Sequence, residues 1–209
     1  MKVYGGRISL FVRKVLAVLE WKGLAYEHIS IVPHDQSPEF KAISPLGKIP
    51  ALTDGVIKLA DSTVICEYLE EQYPAVPTLP ISPADRAHAR WLEEFADTTL
   101  TTACGTGLFC ERIVKPRFFQ QPTDEAKVTH TITNVLPPLL DYLESQVPAE
   151  GFLFGTCGRA DISVAGPLLN AGYADYSVDA EKWPKLAAYV SRIKLDPVIA
   201  KLQQLEGMS

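Results

Sequence analysis

Residues 47–62 read Gly47-Lys48-Ile49-Pro50-Ala51-Leu52-Thr53-Asp54-Gly55-Val56-Ile57-Lys58-Leu59-Ala60-Asp61-Ser62. Ile49 to Leu52 and Val56 to Leu59 are short β-runs. The Asp54-Gly55 pair between them is a strong hairpin signal, because a type I′ turn needs positive φ at both central residues. An apolar helix opens near Ser62. Pro50 lacks the N–H that a ladder position needs, so it belongs at a strand entry. A cis Ile49-Pro50 bond, uncommon and tied to tight local geometry, is expected there. Such a bend turns the Ile49 N–H and C=O outward, where an extended peptide can pair with them. The helix start at Ser62 offers amide donors and positive dipole character to a carboxylate. Asp61 offers a negative charge to an amine. A backbone edge, an anion seat and a cation partner in one short segment suit a zwitterionic peptide.

Upstream, Lys2 to Gly5 reads as a short strand broken by Gly5-Gly6. Phe11, Val12, Val15, Leu16 and Leu19 recur at helical spacing between Ser9 and Lys22, and Gly23 stops that helix. Tyr26 to Val32 alternates like a strand, and Ser37-Pro38-Glu39 starts a short helix to about Ile43. The order βαβ then αββα predicts an α/β thioredoxin-like N-terminal domain over 1–74, a mixed four-stranded sheet with flanking helices.

Pro74, Pro77, Pro80 and Pro83 mark 75–83 as a stiff linker and domain boundary. Beyond it only helices are expected, which makes 84–209 an all-α C-terminal helical domain. Ser82-Pro83-Ala84-Asp85 caps a long helix reaching about Lys115, with Gly105 and Gly107 marking a bend or a close approach. A second runs from Thr123 to Val147 and is kinked or split by Pro137-Pro138. Gly158 to Gly172, Pro184 to Lys194 and Asp196 to Leu205 complete the set.

Composition narrows the function classes. A net charge of −5 and pI near 5.4 argue against nucleic-acid binding, which needs a clustered basic face. No apolar run approaches the ~20 residues that span a bilayer, so no membrane association is expected. Arg7, Arg13 and Lys14 interrupt what would be the apolar core of a secretory leader. The four cysteines (Cys66, Cys104, Cys110, Cys157) show no C-x-x-C spacing and the four histidines are scattered. No metal or dithiol motif results, and buried, reduced thiols in a cytoplasmic protein are the expectation.

The G-K-I-P-A-L hairpin, followed by an acidic residue, Ser and an apolar helix, resembles the glutathione-binding half of glutathione transferases. The likeness extends through most of the chain and includes Gly158-Arg159-Ala160-Asp161 before an apolar helix. There the family usually has Ser or Thr where this chain has Gly158, so the reciprocal capping box is incomplete. Gly at a cap costs only a few tenths of a kcal/mol against Ser. The resemblance implies the glutathione transferase fold, glutathione as co-substrate without a metal, a detoxification-type conjugation and a two-fold homodimer.

Gly5 to Val15, GGRISLFVRKV, resembles the serine-type members (phi, tau or beta-like), which makes Ser9 the candidate thiolate donor; the plainer reading is that Ser9 only caps its helix. Tyr4 is the rival, at the strand end that supplies the phenol of tyrosine-type members; otherwise it is a packed strand aromatic. No cysteine falls in this loop, so the thiol-exchange members are not matched. The resemblance assigns the Ile49 backbone and Pro50 to the cysteinyl part of glutathione, and Asp61 and Ser62 to the γ-glutamyl end. Asp61 stands where most members have Glu, one methylene longer. Lys48 faces the glycyl carboxylate or plain solvent. Gln36 lies where many relatives place Lys or His beside that carboxylate. Arg13 is expected to pair with an acid as a structural group. An apolar electrophile pocket is expected between the domains, from Leu10 and Phe11 with Phe109, Cys110, Ile113 and Phe118; ordinary helical core is the alternative. Trp91 and Phe95 belong to the core or to a subunit interface.

One hydroxyl is sufficient chemistry. A thiol near pKa 8.5 must drop about two units to react at neutral pH, which needs about 2.7 kcal/mol of preference for the thiolate. A helix N-terminus supplies up to ~1–2 kcal/mol and a hydrogen bond to a charged acceptor ~1.5–3. Three functions share such a site: conjugation of glutathione to apolar electrophiles, glutathione-dependent peroxide or disulfide reduction, and a non-catalytic binding or regulatory role on the transferase fold.

Overall fold

A computed structural model describes residues 1–31 and 37–207. The chain packs as two compact units: residues up to Pro80 joined by the segment from Pro197 onward, and Ile81–Asp196. The first unit runs β1 (Lys2–Tyr4), α1 (Leu10–Trp21), β2 (Glu27–Ile29), α2 (Pro38–Lys41), β3 (Ala51–Asp54), β4 (Ile57–Ala60) and α3 (Ser62–Gln72). The sheet order is β2-β1-β3-β4, with β1 parallel to β2 and antiparallel to β3. This is the thioredoxin-like mixed sheet expected. Val12, Val15, Leu16 and Leu19 of α1 are buried with Val3 and Leu52 of the sheet and with Ile65 and Leu69 of α3. Each such side chain contributes about 1.5–3 kcal/mol when removed from water.

Three local expectations need correction. The hairpin turn sits on Gly55-Val56, not Asp54-Gly55, because Asp54 pairs with Ile57. Of the two turn residues only Gly55 has positive φ, +57°, so the turn is not type I′. Asp54 stays in the ladder, where its carboxylate accepts the Tyr68 and Tyr73 hydroxyls at 2.8 Å each. The strand begun at Tyr26 is shorter than expected, ending at Ile29, and Val32 lies outside the described residues. The proline-rich segment is also less of a linker than its composition implies. Glu70 accepts the Thr78 N–H and hydroxyl (3.1 and 2.9 Å) and the Leu79 N–H. Lys22 pairs with Glu70 at 2.9 Å and donates to the Tyr73 and Val76 carbonyls. Residues 73–79 are thereby tied to the first unit.

The second unit is helical, with an isolated bridge between Phe152 and Gly155. Ser82 caps α4 (Pro83–Phe95), its Oγ accepting the Asp85 N–H at 3.1 Å and donating to Asp85 Oδ2 at 2.8 Å. The helix continues with wider, π-type winding over Ala96–Leu100 and Thr102–Phe119. α5 (Glu125–His130), a second widened turn (Thr131–Val135) and α6 (Leu136–Gln146) follow. The expectation of a break at Pro137-Pro138 needs correction: the helix runs on without a gap, and only its winding changes, at Leu136, so that the prolines sit in the first turn of α6 where their missing N–H groups cost least. Gly107 marks a close approach, since a Cβ there would lie 2.5 Å from Thr131 Oγ1. α7 (Arg159–Tyr173) is buried from Arg159 to Ala171, the signature of a helix enclosed on every side. α8 (Pro184–Lys194) packs on it.

α9 (Pro197–Gln204) is counted on sequence with the helical domain 84–209, yet it groups with the first unit. It packs on α1 and buries Ile199 and Leu202. Among the described residues no helix is long and apolar enough to cross a membrane.

Candidate functional site

The register of the sheet brings the candidate residues to one end of it. Ala51 pairs with Ala60 and with Tyr4. Continuing both ladders by one position sets Pro50 beside Asp61 on one side and beside Gly5 on the other. The cis-proline bend, the entry to α3 and the loop leading to α1 therefore converge. The Ile49-Pro50 peptide is cis, as expected. Ile49 lies before β3, outside the ladder, and is half-buried.

Gly5 is what permits this convergence. Its φ is +146°, and a Cβ there would meet Val12 Cγ2 at 2.5 Å and Ile49 Cβ at 3.1 Å. The sequence marks Gly5 only as a strand break; its packing role was missed. Ser44 was missed too. Fully buried, it donates from Oγ to the Lys48 carbonyl at 2.7 Å and closes the loop ahead of the bend. Gly47, at φ +65°, donates its N–H to the Ser44 carbonyl at 2.8 Å in the same loop. Ser-Pro-x-Gly is a turn signal in sequence, though it does not reveal where the hydroxyl goes.

Ser9 is the N-cap of α1, and its Oγ accepts the Val12 N–H at 3.4 Å. The two roles weighed for it are chemically compatible. Capping uses an oxygen lone pair, whereas holding a thiolate uses the hydroxyl proton. Ser9 is half-buried at the positive end of a twelve-residue helix. Tyr4 is placed differently. Its hydroxyl lies 3.4 Å from Thr53 Oγ1, and its ring is tilted against Phe40 at 6.2 Å. Thr53 stands opposite Lys2, so the phenol points back along the sheet, away from the bend.

Asp61 is the N-cap of α3 at φ +87°, a conformation few non-glycine residues adopt. One oxygen, Oδ1, accepts both the Thr63 and Val64 N–H groups, at 2.9 and 3.2 Å. Asp61 thus occupies two amides that sequence reasoning offered to a ligand carboxylate. Ser62, 3% exposed, is the first helical residue, and its amide is not among those Asp61 takes. Oδ2 of the exposed Asp61 remains to face an amine. Lys48 is exposed, and Gln36 lies outside the described residues.

Of the electrophile candidates, Leu10 is buried and Phe11 half-buried on the first turn of α1. Phe109, Cys110 and Ile113 are half-buried along the widened helix of the second unit, and Phe118 is exposed. Burial pushes the Cys110 thiol up, with Lys127 pulling the other way, and raises Cys104 to about 12. Neither is an activated nucleophile. None of the four cysteines forms a disulfide; Cys66 and Cys104 are buried, the other two half-buried. Trp91 is not core: it is 52% exposed and donates to the Tyr142 hydroxyl at 2.6 Å, with the Phe95 ring tilted against Tyr142 at 4.8 Å.

Residues 3–77 match the family profile "Glutathione S-transferase, N-terminal domain". Glutathione S-transferase Z2 of Arabidopsis thaliana is 28% identical over 195 residues, spanning 90% of this chain and 84% of its own length. A stringent starvation protein A homolog of Pasteurella multocida is 33% identical over 92 residues, 44% of this chain and 43% of its own. The crystal structure of a glutathione S-transferase from Rhodospirillum rubrum F11 superposes with a TM-score of 0.86 at 28% identity, covering 96% of this chain and 90% of that one. With the sheet, the cis-proline bend and the helical second unit in place, the chain has the fold of the glutathione S-transferases, and over residues 3–77 it carries that family's N-terminal domain.

Proposed function

We propose that the protein is a glutathione transferase that adds the glutathione thiolate to small apolar electrophiles. The observation that carries this reading is the convergence of the Ile49-Pro50 bend, the Asp61 cap and the α1 N-terminus at one end of the sheet. The cysteinyl backbone of glutathione pairs with Ile49 beside Pro50. Its γ-glutamyl amine meets Asp61 Oδ2 and its γ-glutamyl carboxylate the Ser62 amide; Lys48 and Gln36 serve the glycyl end. The sulfur rests against the Ser9 hydroxyl, which donates its proton as a hydrogen bond while its lone pair continues to accept from Val12. Leu10, Phe11, Phe109, Cys110 and Ile113 are the candidates for electrophile contact. The working form is a cytoplasmic two-fold homodimer.

The test is the ultraviolet absorbance of bound glutathione thiolate as a function of pH. A hydrogen bond to a charged acceptor is worth ~1.5–3 kcal/mol, and one pKa unit is 1.36 kcal/mol. Ser9→Ala should therefore raise the midpoint by about one to two units, while Tyr4→Phe leaves it in place. The opposite pattern would move the donor to Tyr4. Turnover of peroxides or mixed disulfides in preference to aryl halides would reassign the reaction on the same site. A non-catalytic, regulatory role on the same fold is the second reading, motivated by the 92-residue match to a stringent starvation protein A homolog. Failure of the wild type to bind glutathione-agarose, with no turnover of any electrophile, would favour it.

A further inference from the structure

Two successive glycines, Gly5 and Gly6, lead from β1 to the turn that presents Ser9. Glycine leaves the backbone more freedom than any other residue, so the pair is a poor mount for a hydroxyl that must meet a ligand atom. The restraint comes from the edge strand β2. The Gly5 N–H donates to the Ile29 carbonyl at 3.0 Å, which continues the pairing of β1 with β2. The carbonyl of the buried Gly5 accepts instead from a side chain, Nε2 of the half-buried His28 at 2.8 Å. A carbonyl oxygen only accepts, so the imidazole carries a proton on Nε2.

That bond has a mechanical consequence. A peptide group is a rigid plane, so fixing the Gly5 carbonyl also fixes the direction of the Gly6 N–H and the start of the next turn. The turn is closed by the Ser9 N–H on the Gly6 carbonyl at 3.0 Å. Ser9 then caps α1 by accepting the Val12 N–H at 3.4 Å. Val12 and Ile49 crowd Gly5 from the other direction, where a Cβ would meet both. Burial, then the charge of Arg7, lowers the His28 pKa, against the Gly5 hydrogen bond. His28 is therefore uncharged at neutral pH and above, and replacing it there removes no charge.

We propose that His28 is a positioning residue for thiolate formation: through the Gly5 carbonyl it sets the loop that aims the Ser9 hydroxyl at the glutathione sulfur. The inference rests on the glutathione reading above and adds to it a residue that acts without touching the ligand. A displacement of about 1 Å can cost on the order of a hundredfold in rate, so a tie at the softest part of the loop has a large effect on chemistry.

The test compares His28→Leu with His28→Gln, whose amide nitrogen has the reach of Nε2 and also donates. The readout is the pH midpoint of bound thiolate by ultraviolet absorbance, at saturating glutathione so that occupancy does not enter. His28→Leu should raise the midpoint by about half a unit to one unit, part of what full loss of the Ser9 hydrogen bond gives. His28→Gln should stay near wild type. In a Ser9→Ala background His28→Leu should add nothing, because no hydroxyl is left to aim. Amide hydrogen exchange of the ligand-free protein supplies a second readout. The Val12 N–H, resting on Ser9 Oγ, should exchange several-fold faster in His28→Leu and recover in His28→Gln. A wild type that binds no glutathione overturns the role in thiolate formation together with the reading it rests on. Unaltered Val12 exchange in His28→Leu overturns the role in the loop whatever the ligand. An unchanged midpoint in His28→Leu, equal shifts in the Leu and Gln variants, or the same shift with the Ser9 hydroxyl already removed would each overturn the assignment while leaving glutathione binding intact.

Discussion

Asp61 holds φ +87°, a position that costs roughly 1–3 kcal/mol for a residue with a Cβ, although Asp and Asn carry it better than most. In return its Oδ1 caps two amides of α3. This division of labour between two oxygens gives a clean test. Asp61→Asn keeps the Oδ1 acceptor and the tolerance for positive φ, so stability should change by no more than about 0.5 kcal/mol. If Oδ2 pairs with the glutathione amine, retention on glutathione-agarose should nevertheless be lost. Asp61→Gly relieves the backbone and loses only the few tenths of a kcal/mol that separate a Gly cap from a polar one. It should melt at or above the wild-type temperature and also fail to be retained. An Asn variant retained like wild type would show that the charge does not contribute. In the sequence, Asp-Ser before an apolar run is legible as a cap. The positive φ is not, because it is imposed by the exit angle of β4, which only the folded hairpin defines.

At the scale of elements, the sequence displays periodicity and punctuation but not what a given glycine or acid touches. Helix α1 follows from spacing alone; the shifted hairpin turn does not, because Asp54 was claimed by two tyrosines from α3 and its C-terminal end. Gly5→Ala places a Cβ 2.5 Å from Val12 Cγ2 at φ +146°. Strain of both kinds should destabilise the first unit by about 2–4 kcal/mol in denaturant unfolding and weaken glutathione retention, because Ile49 is the other neighbour displaced. Glu111 is the corresponding invisible feature of the second unit. Its carboxylate accepts from Lys115 at 2.6 Å, Lys127 at 2.7 Å and the Asp124 N–H at 3.3 Å, tying the last turns of the widened helix to the start of α5. The Lys115 hydrogen bond, then that of Lys127, lowers its carboxyl from 4.5 to about 2. A depressed folded-state pKa contributes stability above the unfolded value, which is lost as pH falls toward the folded one. The melting-temperature difference between wild type and Glu111→Gln should therefore be constant above about pH 5 and shrink between 4.5 and 2. A difference that stays flat through that window would remove Glu111 from the acid response.

For the whole molecule, the chain leaves its first unit at Pro80 and returns to it at Pro197, so the first unit is completed only by the last residues of the chain. Arg13 was legible in sequence as a structural cation, but its partner was not. Nothing in residues 197–207 identifies Glu206 as the acid, since a contact spanning that much chain leaves no local pattern. In the fold, Arg13 Nη2 donates to Glu206 Oε2 at 2.8 Å in a two-point pair whose side chains are 0% and 1% exposed. Removing one member of such a pair leaves a desolvated charge and costs about 3–5 kcal/mol, whereas replacing both by apolar groups is often neutral. Glu206→Leu alone should therefore destabilise the first unit by that amount, and Arg13→Met/Glu206→Leu should recover most of the loss. The double-mutant cycle by urea unfolding reads the coupling directly. If the losses simply add, the pair is not a coupled element, and α9 is held by other contacts, among them buried Ile199 and Leu202 and the Lys201–Glu20 ion pair. Strong coupling would instead make the C-terminal turn part of the frame that positions Ser9, since Arg13 lies one helical turn beyond Ser9 and its N–H bonds the Ser9 carbonyl at 2.8 Å. In that case Glu206→Leu should also raise the thiolate midpoint of bound glutathione, and the double variant should bring it back.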